Sequence, residues 1–374
     1  MFRFTRHMVG VAVFTLIVSS AHNVWAVSPN PLENAYWRFD DPGATANSRV
    51  AGGNIDVVRD SINQNHLRAQ DAGTAPKYVA DVAPAPLKSG LANNLAFNFS
   101  TADDGIHDDL YTDTKHINNG QIGGTHAPDL TGFTIEAAFR PSVVSGFQGI
   151  VGREGQPAGP IETLEMKIRG DTNVLQVEQY DRAGNLVQVS SQNQMVANNW
   201  YYVAVVNDGS HLNLYLDSND GNGYKLQNAS LDDVAVNGAL YQGGNAEDWD
   251  KTWSVGRGYY NGSPADWFTG DIDEVRVSNR ALSPSEFLFS PQGEYNGDTS
   301  VDAADFVSWR KSNVFGDNGY TLWRKHFGDN NAPASALGGG PSLVPEPASI
   351  LIAAIAFVGA SMVRRGDKRG SHQP

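Results

Sequence analysis

The sequence predicts an all-β protein whose main body is a two-sheet antiparallel sandwich. Short runs of alternating apolar and polar residues fill the chain from Ala35 to about Phe289, and Gly, Asn and Asp turns separate these runs. No window of comparable length before Pro284 shows a convincing helical period. Because no long repeat recurs along the chain, the pattern favours a sandwich over a propeller.

Four segments illustrate how the strands are identified. Residues 133–139 alternate apolar and polar positions, which predicts a half-buried strand. Residues 212–216 alternate in the same way, whereas residues 200–206 form the more continuous apolar run of a strand covered on both faces. Between these two strands, residues 207–209 read Asn-Asp-Gly, which predicts a hairpin turn.

The composition argues against one class of partner and excludes one kind of crosslink. The 374 residues include 41 acidic and 27 basic side chains, for a net charge of −14. Six of the basic residues but only two of the acidic ones lie in residues 1–26 and 345–374, so the body is more acidic still. Such a body repels phosphate backbones, which argues against nucleic acid as a partner. The chain has no cysteine and therefore no disulfide, so bound metal is the remaining common crosslink.

The N-terminal 26 residues have the pattern of a signal peptide. Arg3 and Arg6 form the charged region, residues 9–18 form a short apolar stretch, and residues 24–26 offer a small-residue cleavage site. The alternative is a membrane anchor, but the apolar stretch is too short to span a bilayer. We therefore expect an exported protein.

The C-terminal region carries a second targeting pattern. Pro345, Glu346 and Pro347 precede sixteen apolar residues, at the short limit of a transmembrane helix, and a basic cluster follows. Residues 344–369 resemble a PEP-CTERM sorting signal. The resemblance implies removal of the tail by an exosortase-type membrane protease and delivery to the cell envelope, surface or extracellular matrix. A plain C-terminal membrane anchor is the alternative.

The body resembles a known sandwich family through six motifs in the expected order. These motifs are residues 35–40, 132–141, 199–206, 212–217, 254–257 and 270–277. Together they resemble LamG-type concanavalin A-like domains, which implies a jelly-roll sandwich over residues 27–290. The family includes lectin-like, adhesive, protease-associated and hydrolytic proteins, so the resemblance leaves the function open.

A calcium site is expected where the closing strand of the sandwich meets the opening strand. Period-two alternation places Asp273 on the same face as Val275 and Val277, and a buried carboxylate needs a cation or several donors. Related sandwiches often hold a structural calcium at this place. Asp40 and Asp41 end the opening strand and supply the other predicted ligands. An ion pair with arginine, or a strand end exposed to water, are the alternatives.

A second calcium site is expected after the sandwich, in residues 291–330. The segment resembles a dockerin-type, EF-hand-like calcium loop, which implies ligands at Glu294, Asn296, Asp298, Asp302 and Asp305. Thr299 departs from the pattern, because the sharp turn at that place normally requires glycine.

The helices expected after this loop form a partial repeat. Residues 306–311 recur as residues 320–325, which predicts two helices packed through Trp309 and Trp323. The second copy has too few acidic residues for another calcium site. Residues 331–343 are a linker rich in Pro, Gly, Ser and Ala.

Aromatic residues late in the body predict a sugar-binding surface. Trp249, Tyr259 and Tyr260 lie among Gly, Asn and Asp residues, which favours loops, and Asn261 adds a hydrogen-bonding amide. Ring faces bind the apolar side of a sugar while amides and carboxylates bind its hydroxyl groups. The alternative is that late aromatic residues simply pack against the last strands.

Three functional hypotheses follow. The leading one is an exported, non-catalytic module that binds a polysaccharide or matrix glycan; a structural or adhesive envelope protein that binds other proteins is the second. The third is a polysaccharide hydrolase or lyase. Laminarinase-type hydrolases share the sandwich and place Glu-x-Asp-x-x-Glu along one strand. The nearest match, residues 271–276, has Asp first and Arg276 last, so it does not supply the carboxylate pair that retaining hydrolysis requires.

Overall fold

The computed structural model describes residues 33–50, 57–62, 65–69, 76–100, 109–112, 132–153, 163–227, 234–238, 253–261, 263–312, 315 and 318–330. All of these lie within one compact unit, Met1–Asn331. Within these ranges no helix has the length and apolar composition needed to cross a membrane. The predicted signal peptide, linker and sorting signal, including Pro345, Glu346 and Pro347, lie outside the described residues.

Two large antiparallel sheets form the body, which confirms the predicted sandwich. In the described residues the first sheet has nine strands: β1 (Glu33–Trp37), β3 (Lys77–Val79), β4 (Ala96–Phe99), β6 (Phe133–Pro141), β11 (Tyr201–Asn207), β12 (His211–Asp217), β13 (Lys225–Leu226), β14 (Val234–Ala235) and β18 (Gly270–Ser278). Its main path runs β13-β12-β11-β6-β18-β4-β3.

The second sheet has seven strands in the described residues. They are β2 (Leu67–Ala69), β5 (Leu110–Thr112), β7 (Gln148–Arg153), β8 (Leu164–Ile168), β9 (Val174–Tyr180), β10 (Leu186–Gln194) and β15 (Trp253–Val255), in the order β10-β9-β8-β7-β15-β5-β2. A separate two-stranded hairpin, β16 (Gly258–Tyr260) and β17 (Ser263–Ala265), lies against β7 and β8.

The main core lies between the inner faces of the two sheets. Trp37, Phe97 and Phe139 from the first sheet and Trp253 from the second are all fully buried in it. Each such side chain contributes about 1.5–3 kcal/mol through burial of apolar surface. The predicted alternation is visible in β12, whose leucines face this core while its polar residues are only half-buried.

The outer face of the first sheet is covered by a second apolar layer. Tyr36, Ala138 and Tyr202 pack there against Leu87 and Phe289, from segments before β4 and after β18. Strand β6 was predicted to be half-buried, but it is buried on both sides because of this layer. A three-residue 3-10 turn, Pro284–Glu286, leads into this covering segment.

A β-bulge in β18 overturns one prediction about side-chain direction. Asp273 pairs with Ala138, but the next paired residue of β18 is Arg276, opposite Glu136. The extra residue is accommodated by Glu274, whose φ of +50° is in the left-handed region. Asp273 therefore lies on the outer face beside Ala138, whereas Val275 and Val277 face the inner core.

Two helices follow the sandwich and pack on it. They are α1 (Ala303–Lys311) and α2 (Gly319–His326). The Nζ atom of Lys88 donates to the carbonyl of Pro291 at 2.7 Å, and the amide of Asn318 donates to the carbonyl of Ser89 at 3.0 Å. The residues from Pro291 onward are thus joined to the segment before β4 by hydrogen bonds.

Candidate functional site

The outer face of the second sheet differs from that of the first because it is polar. Leu164, Met166 and Ile168 of β8 face the core, so the alternate residues of that strand point outward, and β9 and β10 follow the same rule. We call the resulting cluster the polar face and define it by five residues: Glu165, Lys167, Gln176, Glu178 and Gln188. Gln188 is exposed, whereas the other four are buried, so the cluster opens to solvent at the β10 side.

Hydrogen bonds connect the charged groups of the polar face. The Nζ atom of Lys167 donates to Oε2 of Glu165 at 2.7 Å and to Oε2 of Glu178 at 3.0 Å. Gln188 adds a bond from its amide nitrogen to Oε1 of Glu178 at 2.6 Å. The side chains are therefore held in fixed positions, as a site with oriented donors and acceptors requires.

The carboxyl groups at the hairpin end of this face resist ionisation. Burial raises the pKa of Glu165 to about 7, although the neighbouring Lys167 acts in the opposite direction. Burial also raises the pKa of Asp266, which lies beside Glu165. Because Glu165 is only 1% exposed, its neutral form is favoured by the loss of solvent.

The β16–β17 hairpin lies against one end of the polar face, and two glycines allow the close approach. The amide of Gly149 in β7 donates to the carbonyl of Asp266 at 2.5 Å. A Cβ atom on Gly149 would lie 2.3 Å from the backbone nitrogen of Gly258, and one on Gly258 would lie 2.0 Å from Oε1 of Glu165. A larger residue in place of Gly149 or Gly258 would therefore clash with the hairpin backbone or with the Glu165 side chain.

Exposed aromatic rings accompany this arrangement. Tyr260 is 50% exposed and sits two residues from Gly258, on the same side of β16 as the glycine that faces Glu165. Phe147 is 41% exposed, and Nζ of Lys167 lies 5.7 Å from its ring centre. Phe147 therefore borders the polar face, and strand alternation places Tyr260 on the side of β16 that faces Glu165.

The structure describes three of the four predicted sugar-binding residues. Tyr259 is half-buried in β16, while Tyr260 and the adjacent Asn261 are exposed. Trp249 lies outside the described residues. Trp253, taken in the alternative interpretation as a packing residue, is fully buried in the main core.

The predicted calcium ligand Asp273 lies in a buried polar pocket on the outer side of β18. Its Oδ2 atom accepts bonds from the amide of Ala83 at 3.0 Å and from Nδ2 of Asn93 at 2.7 Å. Oδ1 of Asp273 and Oδ1 of Asn93 are buried without a hydrogen-bond partner. Burial, and then the charge of Glu274, raise the pKa of Asp273 well above its usual range.

The other two residues predicted with it have different partners. Asp40 accepts bonds from the backbone of Asn94 and Leu95, both at 3.0 Å, and forms an ion pair with Arg38 at 2.8 Å. The charge of Asp40 also acts to raise the pKa of Asp273, after burial and the charge of Glu274.

Asp41 points elsewhere, towards the core. It accepts bonds from the hydroxyl of Tyr78 at 2.7 Å and from the amide of Arg59 at 2.8 Å. The structure therefore brings Asp40 towards Asp273 but gives Asp41 separate partners.

The predicted calcium loop after the sandwich is closed by bonds to its own backbone. Oδ1 of Asp305 accepts from the amides of Tyr295 at 2.6 Å and Asn296 at 3.1 Å, and Oδ2 accepts from Asp302 at 2.7 Å. Oε1 of Glu294 accepts from Asn296 at 3.0 Å as well.

Its remaining residues act within the loop or cap the helix that follows. The amide of Asn296 donates to Asp298 at 2.8 Å, and Asp302 caps α1 by accepting from Ala304 at 2.6 Å. Thr299 has a φ of +72°, in the left-handed region that favours glycine. Across the described ranges, no three His, Cys, Asp or Glu side chains are grouped so as to hold a metal ion.

The polar face was missed by the sequence analysis. Its signal was present in β8, where Glu165 and Lys167 alternate with three apolar residues. The pairing of Glu165 with Glu178 depends on the register of β8 and β9, which alternation within one strand does not specify.

Comparison with known families agrees with the sandwich. Residues 115–287 match a family model described as the concanavalin A-like lectin/glucanases superfamily. The match supports a domain of this type in that part of the chain. A search of curated proteins finds no match.

The similarity of this chain to solved structures is low. Domain 4 of AbnA, an extracellular arabinanase from Geobacillus stearothermophilus solved with arabinotriose, is 13% identical with a TM-score of 0.41, covering 68% of this chain and 95% of that one. The CBM40 of the Ruminococcus gnavus IT-sialidase, bound to α2,3-sialyllactose, is 15% identical with a TM-score of 0.34, covering 42% and 80%. The binding domain of botulinum neurotoxin DC is 13% identical with a TM-score of 0.39, covering 64% and 49%.

Proposed function

We propose that the protein is a non-catalytic glycan-binding module and that the polar face holds the glycan. One observation carries the proposal: oriented polar groups on the outer side of the second sheet are bordered by exposed rings. The corresponding side of the first sheet is covered by apolar side chains. Sugar sites combine ring faces with a small number of fixed hydrogen-bonding groups.

The polar face supplies both kinds of hydrogen-bonding partner. The carboxylate of Glu178 accepts bonds from sugar hydroxyl groups, and the amide of Gln188 both donates and accepts. Gln188 is exposed, whereas Glu178 is largely buried, so the first contacts are made at the β10 side of the sheet. Tyr260 and Phe147 then offer ring faces to the apolar side of a pyranose.

A glycan array with the full chain tests this proposal. We expect retention of at least one polysaccharide class by the wild-type protein. Phe147→Ala weakens that binding by at least about fivefold, since one ring contact is worth about 1 kcal/mol or more. The matched control is Leu226→Ala, which removes a similarly exposed apolar side chain from β13 in the other sheet. Equal binding by the Phe147→Ala variant and wild type contradicts the proposed location.

Hydrolysis is a second candidate, favoured by the pair Glu165 and Glu178. The two carboxylates bond the same Lys167 nitrogen, so their bonded oxygens lie no further apart than the sum of 2.7 and 3.0 Å. Retaining glycosidases need carboxyl groups about 5–5.5 Å apart, with one pKa raised. Against catalysis, Lys167 lies between the pair and Glu165 is almost fully buried. Release of reducing sugar that Glu165→Gln abolishes supports hydrolysis.

Calcium binding is part of the proposal. Two buried oxygens without partners, on Asp273 and Asn93, are of the type that calcium prefers. The dockerin-like loop contributes a second candidate set of oxygen donors, from Glu294 to Asp305. Calcium at either place neutralises carboxylates and crosslinks segments in a chain without disulfides.

We further propose that the protein is exported and displayed on the cell envelope, at the cell surface or in the matrix. The signal-peptide pattern and the Pro-Glu-Pro tail support this location, and an exosortase-type protease is the partner that the tail implies. Mass measurement on native material is expected to show loss of residues near Ala26 and near Pro345. An adhesive envelope protein that binds other proteins is the alternative, and self-association without glycan binding favours it.

A further inference from the structure

The two C-terminal helices pack through a continuous row of aromatic rings. We call this row the aromatic ladder; it comprises Phe306, Trp309, Tyr320, Trp323 and Phe327. Across the helix pair, Phe306 and Trp323 have ring centres 5.0 Å apart, and Trp309 and Tyr320 are 5.6 Å apart. Along α2, Trp323 continues the row to Phe327 at 5.2 Å.

Much of the aromatic ladder faces water. Tyr320 is 40% exposed and Phe327 is 57% exposed, and the other three rings are only half-buried. The neighbouring Val307 is 47% exposed as well. A contiguous apolar surface of this kind on a soluble domain marks a site of interaction.

Cations lie at both ends of the aromatic ladder. The helices run antiparallel, since the end of α1 meets the start of α2 at Trp309 and Tyr320. Their exposed basic residues therefore fall at opposite ends: Arg310 and Lys311 at one end, Arg324 and Lys325 at the other. The one carboxylate within the two helices, Asp305, is fully buried and bonded to backbone amides.

We propose that the aromatic ladder binds an anionic polysaccharide, one that carries carboxylate or sulfate groups. The eight residues of α2 span about 12 Å, enough for a short run of sugar residues with a cation at each end. The rings contact the apolar sides of the sugars while the cations bind the acid groups. The exposed carboxylates of Asp302 and Asp329 flank the helix pair, and Asp329 is paired with His326 at 2.9 Å. Charges further than about 8 Å from the ladder are screened at physiological salt.

This site is separate from the polar face and has a different specificity. The polar face presents carboxylates and amides, which suit neutral sugars, whereas the aromatic ladder combines rings with guanidinium and ammonium groups. Arg310 and Arg324 already lie over Phe306 and Tyr320, at 6.0 and 5.7 Å from the ring centres. The cations are thus positioned at the rings before any ligand arrives.

Binding of the full chain to polygalacturonate at several salt concentrations tests the proposal. We expect retention that falls steeply as salt rises, because charge pairing drives it. The double variant Arg310→Gln/Arg324→Gln keeps the rings and lowers affinity at least tenfold. The matched control is Lys225→Gln, which removes an exposed cation from β13 in the sandwich and leaves retention unchanged.

A second variant keeps the test decisive if the arginine substitutions disturb the helix pair. Phe327→Ala removes the most exposed ring from the end of the ladder and is expected to weaken retention severalfold with unchanged thermal stability. Equal retention by wild type and all ladder variants overturns the proposal. It is also overturned if the variants instead lose a salt-sensitive self-association seen by light scattering, because the occupant is then a second copy of the chain. We expect these variants to leave the binding of neutral glycans at the polar face unchanged. Failure of the ladder proposal can therefore be told apart from failure of the polar-face proposal.

Discussion

Glu165 lies directly opposite Glu178 in the ladder that joins β8 to β9. Two carboxylates facing each other on one side of a sheet repel, and both of these are nearly buried. Lys167 offsets the repulsion by donating hydrogen bonds to both carboxylates. The raised pKa of Glu165 favours its neutral form, which removes the remaining repulsion. The stability of the polar face therefore depends on pH.

The first prediction concerns that pH dependence. The pKa of Glu165 is about 7 in the folded protein, above the ordinary value of 4.5, so the folded state binds the proton more tightly. Stability from this group is present at low pH and is lost as pH rises from the ordinary value through about 7. We expect Glu165→Gln, which cannot ionise, to gain a few degrees of melting temperature relative to wild type between pH 5 and 8.

A matched carboxyl variant serves as the control. Asp171 is exposed and bonded to Arg169, which lowers its pKa to about 2. Its contribution is constant between pH 5 and 8, so Asp171→Asn shifts the melting curve equally at each pH. If the gap between Glu165→Gln and wild type stays constant over that range, Glu165 does not titrate as described.

The second prediction concerns calcium at Asp273. Ligand binding to the folded state alone stabilises by about 2.7 kcal/mol at a hundredfold excess over Kd, so melts in calcium and in chelator are expected to differ by several degrees. Asp273→Asn removes the charge but keeps the shape, and we expect it to erase the share of the shift that belongs to the sandwich. Asp298→Asn reports the share of the predicted calcium loop after the sandwich.

The two outcomes for Asp273 have opposite signs. Without calcium, a buried and partly unpartnered carboxyl is costly, so Asp273→Asn then stabilises the protein at neutral pH. With calcium bound, the same substitution destabilises it. If wild type has the same melting temperature in calcium and in chelator, calcium does not stabilise the folded protein and the prediction is wrong.

The third prediction concerns strain in the loop before α1. Thr299 has a φ of +72°, where a β-branched residue is strained. Thr299→Gly is therefore expected to raise the free energy of unfolding by about 1 kcal/mol, measured from the urea midpoint. Asn173→Gly is the control, because Asn tolerates its φ of +58° and gains less. A loss of stability in Thr299→Gly means that the threonine side chain makes contacts that outweigh the strain.

Alternation along single strands was enough to predict the sandwich and most of its central strands. It failed at β18, because the bulge at Glu274 shifts the two-residue period and moves Asp273 to the outer face. Nothing in the residues 271–277 marks that extra residue. The extra residue is recognised by the left-handed conformation of Glu274. The carboxylate of Glu274 bonds to Tyr36 and Arg38, which are far away in sequence.

The candidate site was harder to predict because it depends on register and on packing between strands. Within the single strand 271–276, Arg276 occupies the place where a hydrolase has its second acid. In the structure Arg276 bonds to Glu136 at 2.7 Å, and both side chains bond to the backbone of the segment that follows β18. The pair Glu165 and Glu178 is 13 residues apart in sequence and meets only through the β8–β9 ladder.

The last prediction joins the hairpin to glycan binding. Tyr260→Ala removes an exposed ring at the border of the polar face and is expected to weaken binding about tenfold while leaving the melting temperature unchanged. Trp249→Ala is expected to do the same. Trp253→Ala is the contrasting control, because loss of a fully buried ring costs about 3–5 kcal/mol of stability.

Gly149→Ala tests whether the position of the hairpin matters for binding. Its added methyl group would lie 2.3 Å from the backbone of Gly258, so the β16–β17 hairpin must move away from β7. We expect lower stability together with loss of glycan binding that exceeds the loss in Tyr260→Ala, since the whole border of the polar face is displaced. Gly221→Ala, where a methyl group meets nothing within 4 Å and only the φ of +79° strains the alanine, controls for the general effect of replacing a glycine. If Gly149→Ala binds glycan as tightly as wild type at a temperature where both are folded, the hairpin does not form part of the binding site.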